Sequence, residues 1–223
     1  GRELNGNDFS IPKASLTKHI FVGGVTGSGK TTTCHKLLSE AQLPFLVLEP
    51  AKTEYRVLLE QIPDLTVLTL GDEQTAPFRL NPFELIPGEN ISAHVDMVKA
   101  TFTSAFPMEA SMPQILEEAI YRCYEKKGWN ISTNQNSKYQ DAYCNGNSFP
   151  IISDLLEEMK EVVESKHFGA ELKSNYIGSL ISRLSNLTVG SKGSMLNCRQ
   201  SIDFDYLVEH PVVIEMEEIR SSE

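Results

Sequence analysis

Apolar and polar positions follow two different rhythms along this chain. Three short apolar runs rich in β-forming residues occupy positions 19–22, 45–48 and 65–70, and a fourth follows Pro211 and ends in acidic residues. Short apolar runs bounded by turn residues are typical of buried strands. Because helical connections separate these runs, the pattern predicts an α/β fold with a mostly parallel sheet. In such a sheet, ligands bind at the carboxyl ends of the strands.

The middle of the chain has helical periodicity instead. Apolar stripes predict helices over 92–106, from Ser111 to Lys127, from Asp154 onward and across 172–187. Such stripes are more typical of packed core than of cofactor contacts. The segment 130–148, rich in Asn and Ser, predicts an exposed loop. We therefore expect a single domain over 1–223 with a helical insertion at about 90–190.

A phosphate-binding pattern lies directly after the first apolar run. Residues 24–31 read Gly-Val-Thr-Gly-Ser-Gly-Lys-Thr and fit G-x-x-x-x-G-K-[ST] at every fixed position. A predicted strand precedes the pattern and a predicted helix follows it, which is the context that this loop requires. A glycine-rich surface turn that happens to carry a lysine is the alternative, and both flanks disfavour it. The residues predicted to bind nucleotide are Gly24, Thr26, Gly27, Ser28, Gly29, Lys30, Thr31 and Thr32.

Each part of this pattern has a chemical task. The glycines allow backbone N–H groups to turn toward phosphate oxygens, and the helix N-terminus adds roughly half a positive charge. Lys30 is predicted to reach the β- and γ-phosphates and to stabilise charge on the γ-phosphate during hydrolysis. The hydroxyl of Thr31 is predicted to bind Mg²⁺. The expected cofactors are therefore ATP and Mg²⁺.

Hydrolysis also requires a carboxylate near the metal, and the chain offers several at strand ends. Glu215, with Glu217 and Glu218 after it, follows the last apolar run, and Glu215 is the predicted catalytic carboxylate although Asp is usual there. The alternative is a buried strand with an acidic end, the metal-side strand lying elsewhere. Glu49 and Glu54 also follow a predicted strand. Their alternative role is solvated charge or an ion pair with Lys52 or Arg56.

Composition narrows the class of protein. The net charge of −10 argues against a broadly basic surface that grips nucleic acid. The four cysteines lack metal-site spacing and suggest reduced thiols, which favours a cytoplasmic protein. No apolar run approaches the ~20 residues that span a bilayer, and no secretory leader is visible. A start at Gly1 and a stop just after an apolar strand suggest a fragment of a longer protein.

Three stretches resemble one family. The segment from His19 to Thr31 is similar to the strand and phosphate loop of the HerA/FtsK superfamily of P-loop motor ATPases, and bacterial HerA-like ATP-binding proteins are the nearest match. The segment 48–55, Leu-Glu-Pro-Ala-Lys-Thr-Glu-Tyr, resembles that family's second-strand motif. Residues 81–83 resemble its Asn-Pro-Phe loop. The resemblance spans nearly the whole chain, and its second and third motifs are the more specific ones.

The resemblance implies a P-loop NTPase of the RecA/ASCE type with a helical insertion. It implies a hexameric ring that hydrolyses ATP between subunits and translocates or unwinds double-stranded DNA, as a helicase would, with a nuclease or another effector as partner. It also implies that the strand resembling 212–216 precedes the one bearing the metal-side carboxylates, beyond residue 223. The alternatives are a type IV secretion-like ATPase and a nucleotide-switched regulatory or assembly module. A small-molecule kinase is a weaker alternative, because no acceptor-binding pattern is present.

Overall fold

The chain forms two compact units. The structure, a computed structural model, describes Gly6 and residues 10–108 and 111–217. One unit, the sheet unit, contains the described residues up to Val67 together with Asp205–Glu217, and the other, the helical unit, contains Leu68–Phe204. The sheet unit is therefore assembled from the two ends of the described chain.

The sheet unit carries the predicted α/β pattern. Helix α1 spans Lys30–Ala41, and strands β1 (Phe45–Glu49), β2 (Thr66–Thr69) and β5 (Pro211–Glu215) form a sheet in the order β1-β5-β2. The first two residues of β2 belong to the sheet unit and its last two to the helical unit. Strands β1 and β5 are parallel, and Glu49 is in register with Glu215. A 3-10 helix, Glu54–Glu60, follows β1, and a shorter one, Lys13–Thr17, precedes the phosphate loop. A small core of Leu58, Leu65 and Val213 packs under the sheet.

The predicted first strand is not formed. Residues 19–22 have no strand assignment, and the side chains of Ile20 and Phe21 are 48% and 95% exposed. A cavity of about 400 Å³ is lined by Ile20 and Val22 of this segment, by residues of α1, and by Phe45 and Val47 of β1. No strand among the described residues pairs with 19–22, and an extended segment becomes a strand only through such pairing.

Strand β1 is also less buried than its composition predicts. Phe45 and Val47 contribute to the small core, whereas Leu46 and Leu48 are 43% and 62% exposed. The four apolar residues predicted a strand buried on both faces. Other described residues cover the second face only in part, so β1 alternates like a half-buried strand.

The helical unit contains most of the helices that the stripes predict. Its main helices are α2 (Ile91–Ala105), α3 (Met112–Lys126) and α4 (Ile152–Ser165). Shorter helices follow at Ala170–Tyr176 (α5), Ser182–Ser185 (α6) and Gly190–Leu196 (α7), with a π-helical turn at Ile177–Ile181 and a 3-10 turn at Asn186–Thr188. The last helix, α8 (Phe204–Glu209), leads back to the sheet unit. Because α3 and α4 pack along each other, their stripes form the centre of one continuous core.

The segment 130–148 is more ordered than a polar loop. It contains an antiparallel pair, β3 (Trp129–Asn130) with β4 (Gln135–Asn136), and a 3-10 turn at Ala142–Cys144. Ser148 is fully buried, and the Trp129 ring stacks on Phe149 at 5.6 Å between centroids. Within 130–148 the prediction of an exposed loop is therefore wrong at Ala142 and Ser148, which are buried, whereas Asn130 and most of the other residues are exposed or partly exposed.

No helix in the described ranges is long and apolar enough to cross a membrane.

Candidate phosphate-binding site

The phosphate loop has the backbone shape that its glycines predict. Gly27 and Gly29 adopt φ angles of +80° and +86°, in the left-handed region that disfavours residues with a Cβ. Gly29 is the N-cap of α1, and a Cβ on Gly24 would lie 2.4 Å from Ser28 Oγ. Thr26 forms the turn with Gly27, and the N–H of Ser28 donates to Val25 O at 3.2 Å. The loop is thus a narrow backbone cradle at a helix N-terminus.

Lys30 lies folded over this cradle. Its Nζ donates to Gly24 O at 3.0 Å and to Val25 O at 2.9 Å. Both acceptors are uncharged backbone carbonyls, so the ammonium group has no carboxylate partner in these contacts. An anionic phosphate in the loop would compete favourably for this ammonium group. Thr32 is exposed in the first turn of α1, where helical N–H groups lack intrahelical acceptors.

Thr31 is tied to a carboxylate from the segment after β1. Its Oγ1 donates to Glu54 Oε2 at 2.7 Å, and Lys52 Nζ donates to Glu54 Oε1 at 2.7 Å. The hydrogen bonds from Lys52 and Thr31 hold the pKa of the Glu54 carboxyl below its ordinary value. Glu54 is therefore an ionised acceptor at the hydroxyl that the sequence predicts as a metal ligand.

A second carboxylate fixes the backbone that carries Glu54. Glu49 is 6% exposed, and its Oε1 accepts the N–H of Glu54 at 2.8 Å. The N–H of Tyr55 makes a longer contact of 3.5 Å to Glu49 Oε2. Burial raises the pKa of the Glu49 carboxyl, although the backbone hydrogen bonds act in the opposite direction. Glu49 therefore organises the turn after β1.

Tyr55 joins the same segment to the phosphate-loop helix. Its ring meets the His35 ring edge-on, with 4.8 Å between centroids. Burial raises the pKa of the Tyr55 hydroxyl to about 12, and the nearby Cys34 thiol adds to the shift. Because His35 and Cys34 both belong to α1, the 3-10 helix is docked on the helix that begins at Lys30.

Glu215 is held in an ion pair rather than presented to the loop. Its side chain is fully buried, and Arg56 donates to it through Nε at 2.8 Å and through a terminal nitrogen at 2.7 Å. Both oxygens of Glu215 are thus engaged by a bidentate guanidinium. Glu217 is exposed, and Glu218 lies outside the described residues. The catalytic role of Glu215 rests on the sequence pattern alone, and the geometry favours the alternative of a buried strand with an acidic end.

The predicted nucleotide-binding residues lie together in and directly after the phosphate loop, whereas the sequence left the role of Glu54 open. The structure brings Glu54 to Thr31 and gives the two predicted ion-pair partners to different carboxylates, Lys52 to Glu54 and Arg56 to Glu215. The sequence signal that could have indicated this contact is the distance along the chain between the end of β1 and Glu54. Glu54 lies five residues beyond the end of β1, which is enough chain for one turn back toward a neighbouring helix N-terminus.

The residues present fit a Mg²⁺–nucleotide complex. The glycine cradle would collide with any Cβ at Gly24 and is open at Gly27 and Gly29, as expected for a site that a phosphate approaches closely. The N–H groups at the start of α1 are donors for phosphate oxygens, and the Lys30 ammonium group is a cation that attracts them. Thr31 supplies a hydroxyl oxygen suited to a hard cation such as Mg²⁺. Bound Mg²⁺ would supply charge neutralisation between the phosphates.

The comparison with solved structures bears on the fold. No protein-family model matches the chain, and no curated protein matches it. A solved structure with a similar fold is VirB4 of Thermoanaerobacter pseudethanolicus, with a TM-score of 0.65 and 16% sequence identity. The match covers 100% of this chain and 57% of the VirB4 chain. The likeness confirms the predicted fold class, an α/β P-loop fold with a parallel sheet and helices.

Proposed function

We propose that this chain is the ATP-binding and hydrolysing motor domain of a P-loop ATPase of the HerA/FtsK type. The observation that carries the proposal is the phosphate loop itself: Gly29 caps α1 at positive φ, Lys30 bends over the loop, and Thr31 offers its hydroxyl beside a carboxylate. In this function Gly24, Thr26, Gly27, Ser28, Gly29 and Thr32 hold the phosphates of ATP. Thr31 binds Mg²⁺, and Lys30 stabilises charge on the γ-phosphate.

The polymer that such a motor moves is a finer proposal. The sequence resemblance favours a HerA-like translocase or helicase for double-stranded DNA that works as a hexamer with a nuclease or other effector. The acidic net charge of −10 gives DNA no broad basic surface, so a DNA partner rests on the resemblance. The likeness to VirB4 supports a type IV secretion-like ATPase at least as well.

Three further proposals accompany this function, on domain organisation, on the full-length protein and on its location. We treat residues 1–223 as one P-loop domain in which the helical unit is an insertion, because the sheet unit takes segments from both sides of it. The chain spans little more than half the length of VirB4, so activity, ring formation and partners are proposed for the full-length protein. The cytoplasmic location follows from the cysteine usage alone.

The test is steady-state ATP hydrolysis by the full-length protein, with and without double-stranded DNA, beside Lys30→Ala. Strong stimulation by DNA that the variant abolishes would support a DNA translocase. Hydrolysis without a DNA response would move support to the secretion-like ATPase. Nucleotide binding with negligible turnover under all conditions would favour the regulatory module, and failure to bind nucleotide would reject the motor function.

A further inference from the structure

Glu54 occupies a position that the phosphate-loop pattern does not assign. It reaches α1 from the 3-10 helix after β1, 23 residues away from Thr31 in sequence, and accepts the Thr31 hydroxyl proton at 2.7 Å. Its side chain is 38% exposed, so no requirement of burial explains the contact. The contact lies at the one hydroxyl in the loop predicted to bind a metal.

The direction of this hydrogen bond has a chemical consequence. A hydroxyl has one proton and two lone pairs, and it binds a cation through a lone pair. When its proton is held by a carboxylate, its lone pairs point elsewhere and remain available to the cation. An outer carboxylate that orients a ligand in this way also makes the ligand oxygen more electron-rich.

The position of Glu54 is fixed from two sides. Its N–H is bound by the buried Glu49 carboxylate at 2.8 Å, and Lys52 holds its other oxygen at 2.7 Å. Two residues further on, Arg56 is locked to the buried Glu215. A carboxylate whose backbone and second oxygen are both restrained loses little freedom when it orients Thr31, which is the requirement for a preorganised site.

We propose that Glu54 is a positioning residue for the metal site: it holds the Thr31 hydroxyl with its lone pairs directed at the Mg²⁺ of the bound nucleotide. The inference rests on the proposed nucleotide-binding function and concerns the metal-dependent part of the affinity. Glu54 acts through Thr31 and does not touch the phosphates. Its removal therefore weakens Mg²⁺-dependent binding and leaves metal-free binding unchanged.

The experiment measures the dissociation constant of a fluorescent ATP analogue for the full-length protein, in Mg²⁺ and in EDTA. The wild-type protein defines the gain in affinity that Mg²⁺ provides. In Glu54→Ala this gain should fall by about tenfold, the lower end of the usual effect of outer-shell partners on metal affinity. The affinity in EDTA should stay within about twofold. Glu54→Gln, whose amide oxygen still accepts the hydroxyl proton, should fall between Glu54→Ala and the wild type.

Two controls separate positioning from a general structural role. Glu60→Ala removes an exposed glutamate at the far end of the same 3-10 helix and should leave both affinities unchanged. In a Thr31→Ala background, Glu54→Ala should have no further effect, because a residue that acts through Thr31 is silent without it. Circular dichroism establishes that each variant is folded.

The outcomes are distinguishable from those of the proposed function. If the wild-type protein binds no nucleotide in either condition, the proposed function and this inference both fail. If the wild type shows a Mg²⁺-dependent gain and Glu54→Ala retains it, the inference alone is wrong. An increased gain in Glu54→Ala would also overturn it, since Glu54 would then hold the hydroxyl away from the metal.

Discussion

The guanidinium of Arg56 binds both carboxylate oxygens of Glu215, and this pair joins the segment after β1 to the end of β5. Glu215 is fully buried, whereas the Arg56 side chain is 53% exposed. A buried carboxylate is therefore paired with a side chain that is about half exposed to solvent. The Arg56–Glu215 ion pair also joins the 3-10 helix that begins at Glu54 to the buried strand β5. The position of Glu54 beside Thr31 therefore depends in part on this ion pair.

Replacing Arg56 should destabilise the protein more than most surface changes do. Arg56→Ala leaves the buried Glu215 carboxylate without its bidentate partner, and the free energy of unfolding should fall by about 2 kcal/mol. This is less than the roughly 3–5 kcal/mol expected for a fully buried pair, because the Arg56 side chain is half exposed. Arg56→Lys keeps the positive charge but cannot bind both carboxylate oxygens as a guanidinium does, and its free energy of unfolding should fall by about 1 kcal/mol. Urea unfolding measures both. Equal stability of Arg56→Ala and the wild type would remove the structural role assigned to the pair.

The buried carboxyl of Glu49 makes a separate prediction about pH. Its pKa is raised above the ordinary 4.5 mainly by burial, so the folded state binds this proton more tightly than the unfolded state does. Its contribution to stability is therefore greatest at low pH and is lost as pH rises through the folded pKa. Glu49→Gln mimics the protonated form of Glu49, so the variant should not lose stability in this way as pH rises.

The measurement compares the free energy of unfolding of Glu49→Gln and wild type between pH 4 and pH 7. The two should be similar at the acidic end, and the variant should become the more stable protein as pH rises. A difference that stays constant across this range would show that ionisation of Glu49 is not penalised by the fold.

Local patterns in the sequence predict local structure well. The phosphate loop, its helix and strands β1 and β5 lie where their residues place them, because turn chemistry and apolar periodicity act over a few neighbours. The positions of Gly29 and Lys30 at the start of α1 could be predicted from the neighbouring residues alone. The start of the helix predicted from Asp154 onward is less accurate: α4 begins at Ile152, and Asp154 accepts the N–H of Ile151 at 3.0 Å.

Contacts between distant residues could not be predicted in the same way. The segment 19–22 has strand composition but no pairing partner among the described residues, and pairing is a property of the sheet rather than of the segment. The contact of Thr31 with Glu54 depends on how a 3-10 turn returns the chain to α1. Likewise the contact of Arg56 with Glu215 spans 159 residues. The acidic strand ends indicated that carboxylates gather near the phosphate loop. They did not indicate which side chain each carboxylate would contact.

The positive φ of Gly29 predicts a specific sensitivity in the phosphate loop. Gly29→Ala places a Cβ in the left-handed region at a cost of about 1 kcal/mol. The backbone can relieve that strain only by turning the cradle N–H groups. We expect nucleotide affinity to fall by at least about tenfold, while the unfolding temperature falls by only about 2–4 °C.

A matched glycine serves as the control for this variant. Gly169 is also an N-cap, that of α5, but its φ is −61° and a Cβ there meets nothing within 4 Å. Gly169→Ala should change stability by less than about 0.5 kcal/mol and leave nucleotide affinity unchanged. If both variants bind nucleotide like the wild type, the left-handed cap is not required for the site.

The Asn-Pro-Phe loop makes a prediction about the helical unit. Asn81 is 2% exposed; its amide N–H donates to Pro150 O at 2.9 Å, and its Oδ1 accepts the N–H of Phe83 at 3.0 Å. Asn81→Ala leaves two backbone groups unpaired in the interior, and we expect a loss of about 3 kcal/mol. This motif, which carries part of the family resemblance, thus acts as a bridge within the core of the helical unit.

An exposed asparagine and the single tryptophan make this test selective. Asn90 caps α2 by accepting the N–H of Ala93 at 3.1 Å in a solvated position, so Asn90→Ala should lose only about 1 kcal/mol. Trp129 is the only tryptophan in the chain and is buried against Phe149, so its fluorescence reports unfolding of the helical unit. The urea midpoint of that signal should fall clearly further for Asn81→Ala than for Asn90→Ala. Equal shifts would mean that Asn81 acts as an ordinary capping or surface residue, and the bridge between residues 81–83 and Pro150 would then contribute little to the stability of this unit.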